Sequence, residues 1–224
     1  MTQPSSDRLV RYEDGVWGVL PLARLARSGA ALFLDRDGVL TAEVGHLHRP
    51  QDVRLLPGAA ALVRRANACG IPVVVVTNQA GVGRGIYGWE SFIEVTDVLD
   101  RLLAAEDAVV GATFACPFHP DGVDPYRHDD HPARKPNPGM LLRAAHEIDI
   151  DLSRSWIVGD HLNDILAARA AGLEGGVHVL TGHGREFRAA VMDIEAGDLT
   201  VLTADDALEA GRLIPLLGRH GSPA

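Results

Sequence analysis

Short apolar runs alternate with amphipathic stretches along most of this chain. Each run is apolar throughout, which is typical of strands covered by helices on both faces. The runs are Ala31–Leu34, Val73–Val76, Ala112–Ala115, Trp156–Val158 and Val177–Leu180, with a weaker one at Leu199–Leu202. Strands that alternate with helices predict an α/β fold with a mainly parallel central sheet and right-handed crossovers.

The stretches between the runs carry helix signals. Apolar residues recur near helical spacing, prolines stand at helix starts and glycines at helix ends. The predicted helices are Pro57–Cys69 before Gly70, Trp89–Leu103, a helix capped by Asn137 with Pro138 at its first position and ending near Ile148, and Leu162–Ala171 before Gly172.

The pattern predicts one domain with extensions at both ends. Residues 1–28 are expected to form an arm that packs on the domain, 29–182 the domain itself, and 183–224 an extension that completes it. No internal repeat is visible.

Composition narrows the class of protein. The 224 residues are 46% hydrophobic and 23% charged, which is typical of a globular protein. With a net charge of −9, the chain lacks the overall positive charge that is typical of proteins that bind nucleic acids. Without a run of ~18 apolar residues or a secretion signal, no membrane association is expected. Two cysteines cannot form a framework of disulfides, so we expect a cytoplasmic protein. A monomer is the default expectation for the oligomeric state.

Polar residues follow the predicted strands where the strands end. Asp35 and Asp37 follow the first run, Thr77 follows the second, and Asp160 follows the fourth; Lys135 precedes a helix. Because ligands bind at the carboxyl ends of parallel strands, we expect these side chains to meet at one edge of the sheet.

This set suits phosphoryl transfer. Asp35 and Asp160 would repel each other unless a cation lies between them, and Mg²⁺ prefers such oxygen ligands. Asp35 could attack phosphorus, and Asp37 could exchange the proton. Thr77 and Lys135 would bind the phosphoryl oxygens. Taken alone, each motif would also be explained by a turn, a loop or a helix cap. A phospho-receiver module is an alternative function, because it also places acidic residues at strand ends.

The motifs Asp35–Leu40, Thr77–Gln79, Lys135, and Gly159-Asp160 with Asp164 together resemble those of the haloacid dehalogenase-like phosphohydrolases. The resemblance implies a Rossmann-like three-layer α/β/α domain. It implies that Asp35 is the nucleophile and a Mg²⁺ ligand. Asp37 would be the general acid/base and give a backbone carbonyl to the metal. Asp160 would be a further ligand, and Asp164 would act on the metal indirectly, through another ligand or through water.

Two further segments, Thr77–Gly85 and Arg134–Met140, resemble the cap-less branch with the heptose bisphosphate and histidinol-phosphate phosphatases. The 57 positions from Asn78 to Lys135 leave no room for a large cap. The branch implies a small phosphorylated sugar as substrate, contacted by Asn78, Arg84, Arg134 and His48. Histidinol phosphate, or a broader set of sugar and nucleotide phosphates, is the alternative.

The loop from Pro117 to Pro136 departs from the family, which often binds zinc there through cysteines and a histidine. Phe118 and Ala133 occupy two of the usual ligand positions. A different zinc site remains chemically reasonable, and so does a metal-free loop. The candidate Zn²⁺ ligands are Cys116, His119, His128 and His131.

Overall fold

The computed structural model describes residues 9–19, 29–195 and 197–218, which form eight strands and seven α-helices. The strands are β1 Leu9–Arg11, β2 Trp17–Val19, β3 Leu32–Leu34, β4 Val73–Asn78, β5 Ala112–Cys116, β6 Trp156–Gly159, β7 Gly175–Val179 and β8 Thr200–Ala204. The α-helices are α1 Ala59–Ala68, α2 Ala80–Gly83, α3 Trp89–Ala104, α4 Gly139–Ile148, α5 Leu162–Ala171, α6 Gly184–Met192 and α7 Ala207–Leu213.

The strands form one sheet in the order β1-β2-β5-β4-β3-β6-β7-β8. The six strands from β5 to β8 in this order are parallel, and the predicted mainly parallel sheet is therefore confirmed. The hairpin β1–β2 adds two antiparallel strands beside β5. The sequence pattern does not predict these two strands, because each has only three residues and neither is apolar throughout.

Helices cover both faces of the sheet, as the continuous apolar runs require. Along β3, Leu32 and Leu34 pack on one face with the buried sides of α1, α3 and α7. Phe33 points to the other face and packs with buried residues of α4, α5 and α6. Adjacent residues of a strand thus belong to different cores, which confirms the three-layer α/β/α arrangement.

The helix α5 has the predicted bounds because both of its ends are capped. His161 Nδ1 accepts a hydrogen bond from the Asn163 amide, and the Asp164 carboxylate accepts one from the His161 amide. Gly172 ends the helix in the left-handed region, with φ of 73°.

The predicted cap of α4 was wrong. This helix begins at Gly139 and Pro138 is its N-cap, with no side-chain cap bond. Asn137 instead donates to Asp130 Oδ1 and to the carbonyl of His131. Its amide therefore ties the preceding loop together, a contact that helix-start statistics do not reveal.

The chain between β4 and Lys135 holds α2, α3, β5 and one loop, so the described residues contain no large cap domain. Within the predicted arm 1–28, the described part is the hairpin, and residues 1–8 and 20–28 lie outside the described residues, as do 219–224 of the predicted extension. In the described part of the chain, no helix is both long and apolar enough to cross a membrane.

Replacing Phe33 with alanine is expected to destabilise the protein by about 3–5 kcal/mol, because its fully buried ring fills the core beneath α4 and α5. Urea unfolding would measure the loss. Leu142→Ala on the outer face of α4, where Leu142 is 48% exposed, is the matched control and should cost under ~1 kcal/mol. Equal losses would contradict the assigned core.

Candidate active site

Polar side chains converge at the carboxyl edge of the central strands. Asp35 follows β3, Thr77 and Asn78 end β4, and Asp160 follows β6. They surround a cavity of about 250 Å³. Its lining is strongly polar and consists of Asp35, Asp37, Glu43, Thr77, Asn78, Arg134, Lys135, Asp160, His161, Asn163, Asp164 and His183.

Lys135 enters this cavity from the loop before α4 and joins three elements. Its Nζ donates to Asp35 Oδ1 at 2.8 Å, to Asp164 Oδ1 at 2.6 Å and to the Val76 carbonyl at 2.8 Å. Burial alone would lower the pKa of Lys135, but the carboxylates of Asp164 and Asp35 outweigh burial and raise the pKa. The ammonium group is therefore held charged inside the protein.

Both carboxylate oxygens of Asp164 already accept hydrogen bonds. Its Oδ1 accepts from Lys135 Nζ, and its Oδ2 accepts from the His161 amide. Gly159 lies against the same carboxylate, since a Cβ there would approach the Asp164 Oδ2 to 2.3 Å. The geometry makes Asp164 a support for Lys135 and for the start of α5.

Asp35 and Asp160 carry the unbalanced charge of the site. Burial is the main cause that raises the pKa of both carboxyl groups. The charges of Asp164 and Asp37 add to the rise at Asp35, and the charges of Asp35 and Asp164 add to the rise at Asp160. With Asp164 they form the group of three acidic residues whose oxygens lie within 4.8 Å of one another, as found among the described residues.

The donor set fits a hard divalent cation. Asp35 uses one oxygen for Lys135, and Asp160 uses Oδ2 for the amide of His183 at 2.7 Å, so each keeps a second oxygen for a ligand. Gly38 and Gly182 flank Asp160, where a Cβ at either position would come within 2.1 Å of its Oδ2. Mg²⁺ is commonly held by one or two carboxylates and completed by water or phosphate oxygens.

Asp37 lies at the cavity wall beside a buried arginine. Arg36 Nη2 donates to Asp37 Oδ2 at 2.8 Å, and the Thr41 hydroxyl donates to Asp37 Oδ1 at 3.0 Å. The Asp37 side chain keeps 18% of its surface exposed, towards the cavity. Its carboxylate is thus fixed in direction and still open to a ligand.

Asn78 exchanges two hydrogen bonds with the backbone of Lys135. Its Oδ1 accepts from the Lys135 amide at 3.1 Å, and its Nδ2 donates to the Lys135 carbonyl at 3.0 Å. This pairing fastens the loop that carries Lys135 to the end of β4. Asn78 was predicted as a substrate contact; it lines the cavity, but its amide is already engaged.

Of the three basic residues predicted to contact the substrate, one lines the cavity and two do not. Arg134 lines the cavity, and its Nη1 donates to the Phe118 carbonyl at 3.1 Å. Arg84 is exposed after α2, and His48 stacks on Tyr87 with ring centroids 5.3 Å apart. Neither Arg84 nor His48 is among the described residues that line the cavity, so their substrate contacts stay predictions.

Sequence reasoning missed several cavity residues. Glu43 and His183 face each other at 4.0 Å between His183 Nε2 and a Glu43 carboxylate oxygen, and Asn163 lines the wall beside them. His161 both caps α5 and lines the cavity. These residues lie in loops and helix starts whose path a linear pattern does not predict.

The predicted zinc site is not supported. The ligand atoms of Cys116, His119, His128 and His131 do not form a cluster of metal-binding size in the described part of the chain. Burial raises the pKa of the Cys116 thiol to about 12, so the thiol stays protonated at neutral pH.

Packing explains why the four side chains do not meet. Phe118 lies inside the loop and stacks on His131 with ring centroids 3.6 Å apart. Each histidine Nδ1 accepts a backbone amide two residues later, in His119, His128 and His131 alike. Aromatic stacking and local turns therefore order this loop.

Comparisons with a family model and with curated proteins agree on the family that this chain resembles. A HAD-hydrolase-like family model matches residues 132–206. A D-glycero-beta-D-manno-heptose-1,7-bisphosphate 7-phosphatase of Mesorhizobium japonicum is 46% identical over 146 residues, which are 65% of this chain and 67% of the relative. The enzyme of that name from Escherichia coli K12 is 38% identical over 159 residues, covering 70% of this chain and 83% of the relative.

Solved structures agree with the sequence comparisons. A putative HAD-like phosphatase from Mesorhizobium loti is 37% identical, with a TM-score of 0.81 over 94% of this chain and 97% of that chain. The D,D-heptose 1,7-bisphosphate phosphatase of B. bronchiseptica, complexed with magnesium and phosphate, is 33% identical. Its TM-score is 0.71, over 81% of this chain and 96% of that chain.

We expect millimolar Mg²⁺ to raise the melting temperature by about 2–5 °C, because a cation that binds only the folded state relieves the repulsion between Asp35 and Asp160. Asp160→Asn should remove most of this rise. The matched control is Asp198→Asn at an exposed position, which should keep the full rise. A Mg²⁺ response of Asp160→Asn equal to that of the unaltered protein would contradict the site.

Lys135 is the single lysine of the chain, so lysine-specific ¹⁵N labelling gives one side-chain signal. We expect NMR to show a protonated ammonium group at pH values near 10.4, where an ordinary lysine is about half deprotonated. The two carboxylates that contact Nζ cause this persistence. Asp164→Asn should lower the pKa of Lys135, and deprotonation below pH 10 in the folded, unaltered protein would contradict the arrangement.

Proposed function

This chain belongs to the haloacid dehalogenase-like hydrolase family, and on that premise we propose that it is a Mg²⁺-dependent phosphatase of D-glycero-D-manno-heptose 1,7-bisphosphate that removes the 7-phosphate. The observation that carries the proposal is the group of half-buried Asp35 with buried Asp160 and Lys135 at the carboxyl edge of the sheet. Its oxygens and its ammonium group are what a metal-bound phosphate requires.

Asp35 and Asp160 would hold the Mg²⁺ through the carboxylate oxygens that accept no hydrogen bond from the described residues. When bound, the ion would neutralise these carboxylates and draw electron density from the phosphoryl oxygens. Asp164 contributes indirectly, because it holds Lys135 beside Asp35. The magnesium and phosphate in the B. bronchiseptica relative support this assignment.

Asp35 is the proposed nucleophile. One of its carboxylate oxygens forms a bond to phosphorus while the bond from phosphorus to the sugar oxygen breaks, which leaves an aspartyl-phosphate on Asp35. Asp37 gives its proton to the departing sugar oxygen. Lys135 and Thr77, which line the same cavity, stabilise the negative charge on the transferred group.

Asp37 then acts in the reverse direction. It takes a proton from a water molecule, whose oxygen attacks phosphorus and breaks the bond to Asp35, so that inorganic phosphate leaves and Asp35 is regenerated. Arg36 and Thr41 hold the Asp37 carboxylate in one orientation through both steps. This fixed direction suits a group that must serve first as acid and then as base.

The rest of the cavity accommodates the sugar. Arg134 supplies a positive charge for the second phosphate of a bisphosphate, and Asn78 lines the wall beside it. Arg84 and His48 remain proposed substrate contacts. Neither lines the cavity, so only a part of the substrate that extends beyond the cavity would touch them. No cap domain covers the cavity in the described parts of the chain, so a small substrate would enter directly from solvent.

Histidinol phosphate or a broader set of sugar and nucleotide phosphates is the second candidate, because the same catalytic group would cleave any small phosphomonoester. A phospho-receiver module also carries strand-end acids, but it does not turn over and has no need for Asp37 as a proton carrier. Sustained phosphate release with Mg²⁺ distinguishes an enzyme from a receiver.

Asp35→Asn is expected to reduce phosphate release from heptose 1,7-bisphosphate by at least about 10³-fold, because the amide cannot form the aspartyl-phosphate. Steady-state phosphate release with Mg²⁺ measures this loss, and circular dichroism checks the fold. Asp198→Asn serves again as the control with the same change in charge on the surface.

Substrate choice is measured in the same assay. We expect kcat/KM for heptose 1,7-bisphosphate to exceed that for histidinol phosphate and for sugar monophosphates. Preference for histidinol phosphate would replace the proposed substrate and keep the mechanism. Full activity of Asp35→Asn would refute the nucleophile.

A further inference from the structure

A buried amide lies behind the cavity wall, in contact with two groups of the proposed mechanism. Gln79 follows β4 and is 2% exposed. Its Nε2 donates to the Thr77 hydroxyl oxygen at 2.8 Å, and lies 3.5 Å from Asp37 Oδ2. The mechanism above gives Gln79 no role, and Gln79 does not line the cavity among the described residues.

Two donors fix which end of the Gln79 amide faces Thr77. Gln79 Oε1 accepts from the Tyr87 hydroxyl at 2.7 Å and from Arg36 Nη2 at 3.2 Å. An amide turned end over end would place its NH₂ group against the Arg36 guanidinium, which can only donate, and would direct its oxygen at the Asp37 carboxylate. The hydrogen bonds therefore keep the NH₂ group directed at Thr77.

Arg36 is itself immobilised. It is 1% exposed, its Nε and Nη2 donate to the Asp37 carboxylate, and its guanidinium carbon lies 5.5 Å from the centre of the Phe92 ring. Its Nη1 has no hydrogen-bond partner in the described part of the chain, and the aromatic face provides a favourable neighbour for the charge. One guanidinium group thus orients both Asp37 and Gln79.

The consequence falls on the Thr77 hydroxyl. A hydroxyl has one hydrogen to donate, and here its oxygen accepts from Gln79. Among the described residues no acceptor takes the hydroxyl hydrogen, and Thr77 lines the cavity. The hydrogen is therefore kept for a ligand that accepts, such as an oxygen of a phosphoryl group.

We propose that Gln79 is a positioning residue that fixes the Thr77 hydroxyl as a donor to the phosphoryl group, and that Arg36 and Tyr87 hold Gln79 in the required orientation. The inference rests on the proposed function in one respect, namely that the ligand is a phosphoryl group. It does not depend on which sugar carries that group.

Gln79→Glu tests the proposal, because it keeps the size of the side chain and removes the donor. The carboxylate still accepts from Arg36 and Tyr87, but it can only accept from Thr77, so the hydroxyl turns away from the cavity. We expect the affinity for orthovanadate and for inorganic phosphate, measured with Mg²⁺ present, to fall about 10- to 100-fold. kcat/KM for phosphate release should fall by a similar factor.

A double-mutant cycle separates the hydroxyl from the added negative charge. Thr77→Val alone should weaken phosphate and vanadate binding by a similar factor, and adding Gln79→Glu to it should change the affinity less than about twofold. Gln51→Glu, at an exposed position in the short 3₁₀-helix Pro50–Asp52, makes the same change in charge away from the site and should bind phosphate normally.

The outcomes are distinct. An equal loss of affinity on adding Gln79→Glu to either background would show that charge alone acts, and would overturn the proposal. Equal phosphate affinity in the unaltered protein and in Gln79→Glu would overturn it too. If the unaltered protein binds phosphate but releases none from heptose 1,7-bisphosphate, the proposed substrate fails, and the binding cycle still decides the role of Gln79.

Discussion

The site depends on one buried ammonium group. Lys135 connects the end of β3, the end of β4 and the start of α5 through Asp35, the Val76 carbonyl and Asp164. A charge removed from water in this way is tolerated only when its partners surround it. The fold places these partners around Lys135: Asn78 holds its backbone through two hydrogen bonds, and the first turn of α5 carries Asp164.

Charge balance around this group explains why the site suits a divalent cation. If all four were ionised, Asp35, Asp37, Asp160 and Asp164 would carry four negative charges, whereas Lys135 and Arg36 supply two positive ones. Arg134 and Glu43 at the wall offset each other. The two remaining negative charges are what a single Mg²⁺ would neutralise. Burial, together with this excess of negative charge, raises the pKa of Asp35 and of Asp160.

The site contains residues that face the ligand and other residues that orient those ligand-facing side chains. Thr77 and Asp37 line the cavity, while Gln79, Arg36 and Tyr87 lie behind them in a connected set of hydrogen bonds. Burial matters here, because Gln79 and Arg36 are almost completely removed from water, which therefore competes little for their hydrogen bonds. The direction of a hydroxyl or carboxylate can then be set by the fold before any ligand arrives.

The sequence by itself determined the layer architecture and the strand-end acids, because apolar runs and the residues after them are local features that parallel topology brings to one edge. It also carried the family motifs around Asp35 and Lys135. The tertiary structure alone decided what depends on contacts across the chain: the hairpin β1–β2 beside β5, the engagement of Asn78 with Lys135, and the stacking of Phe118 on His131 in place of a zinc site. Such contacts join residues distant in sequence, and spacing along one chain does not encode their distances.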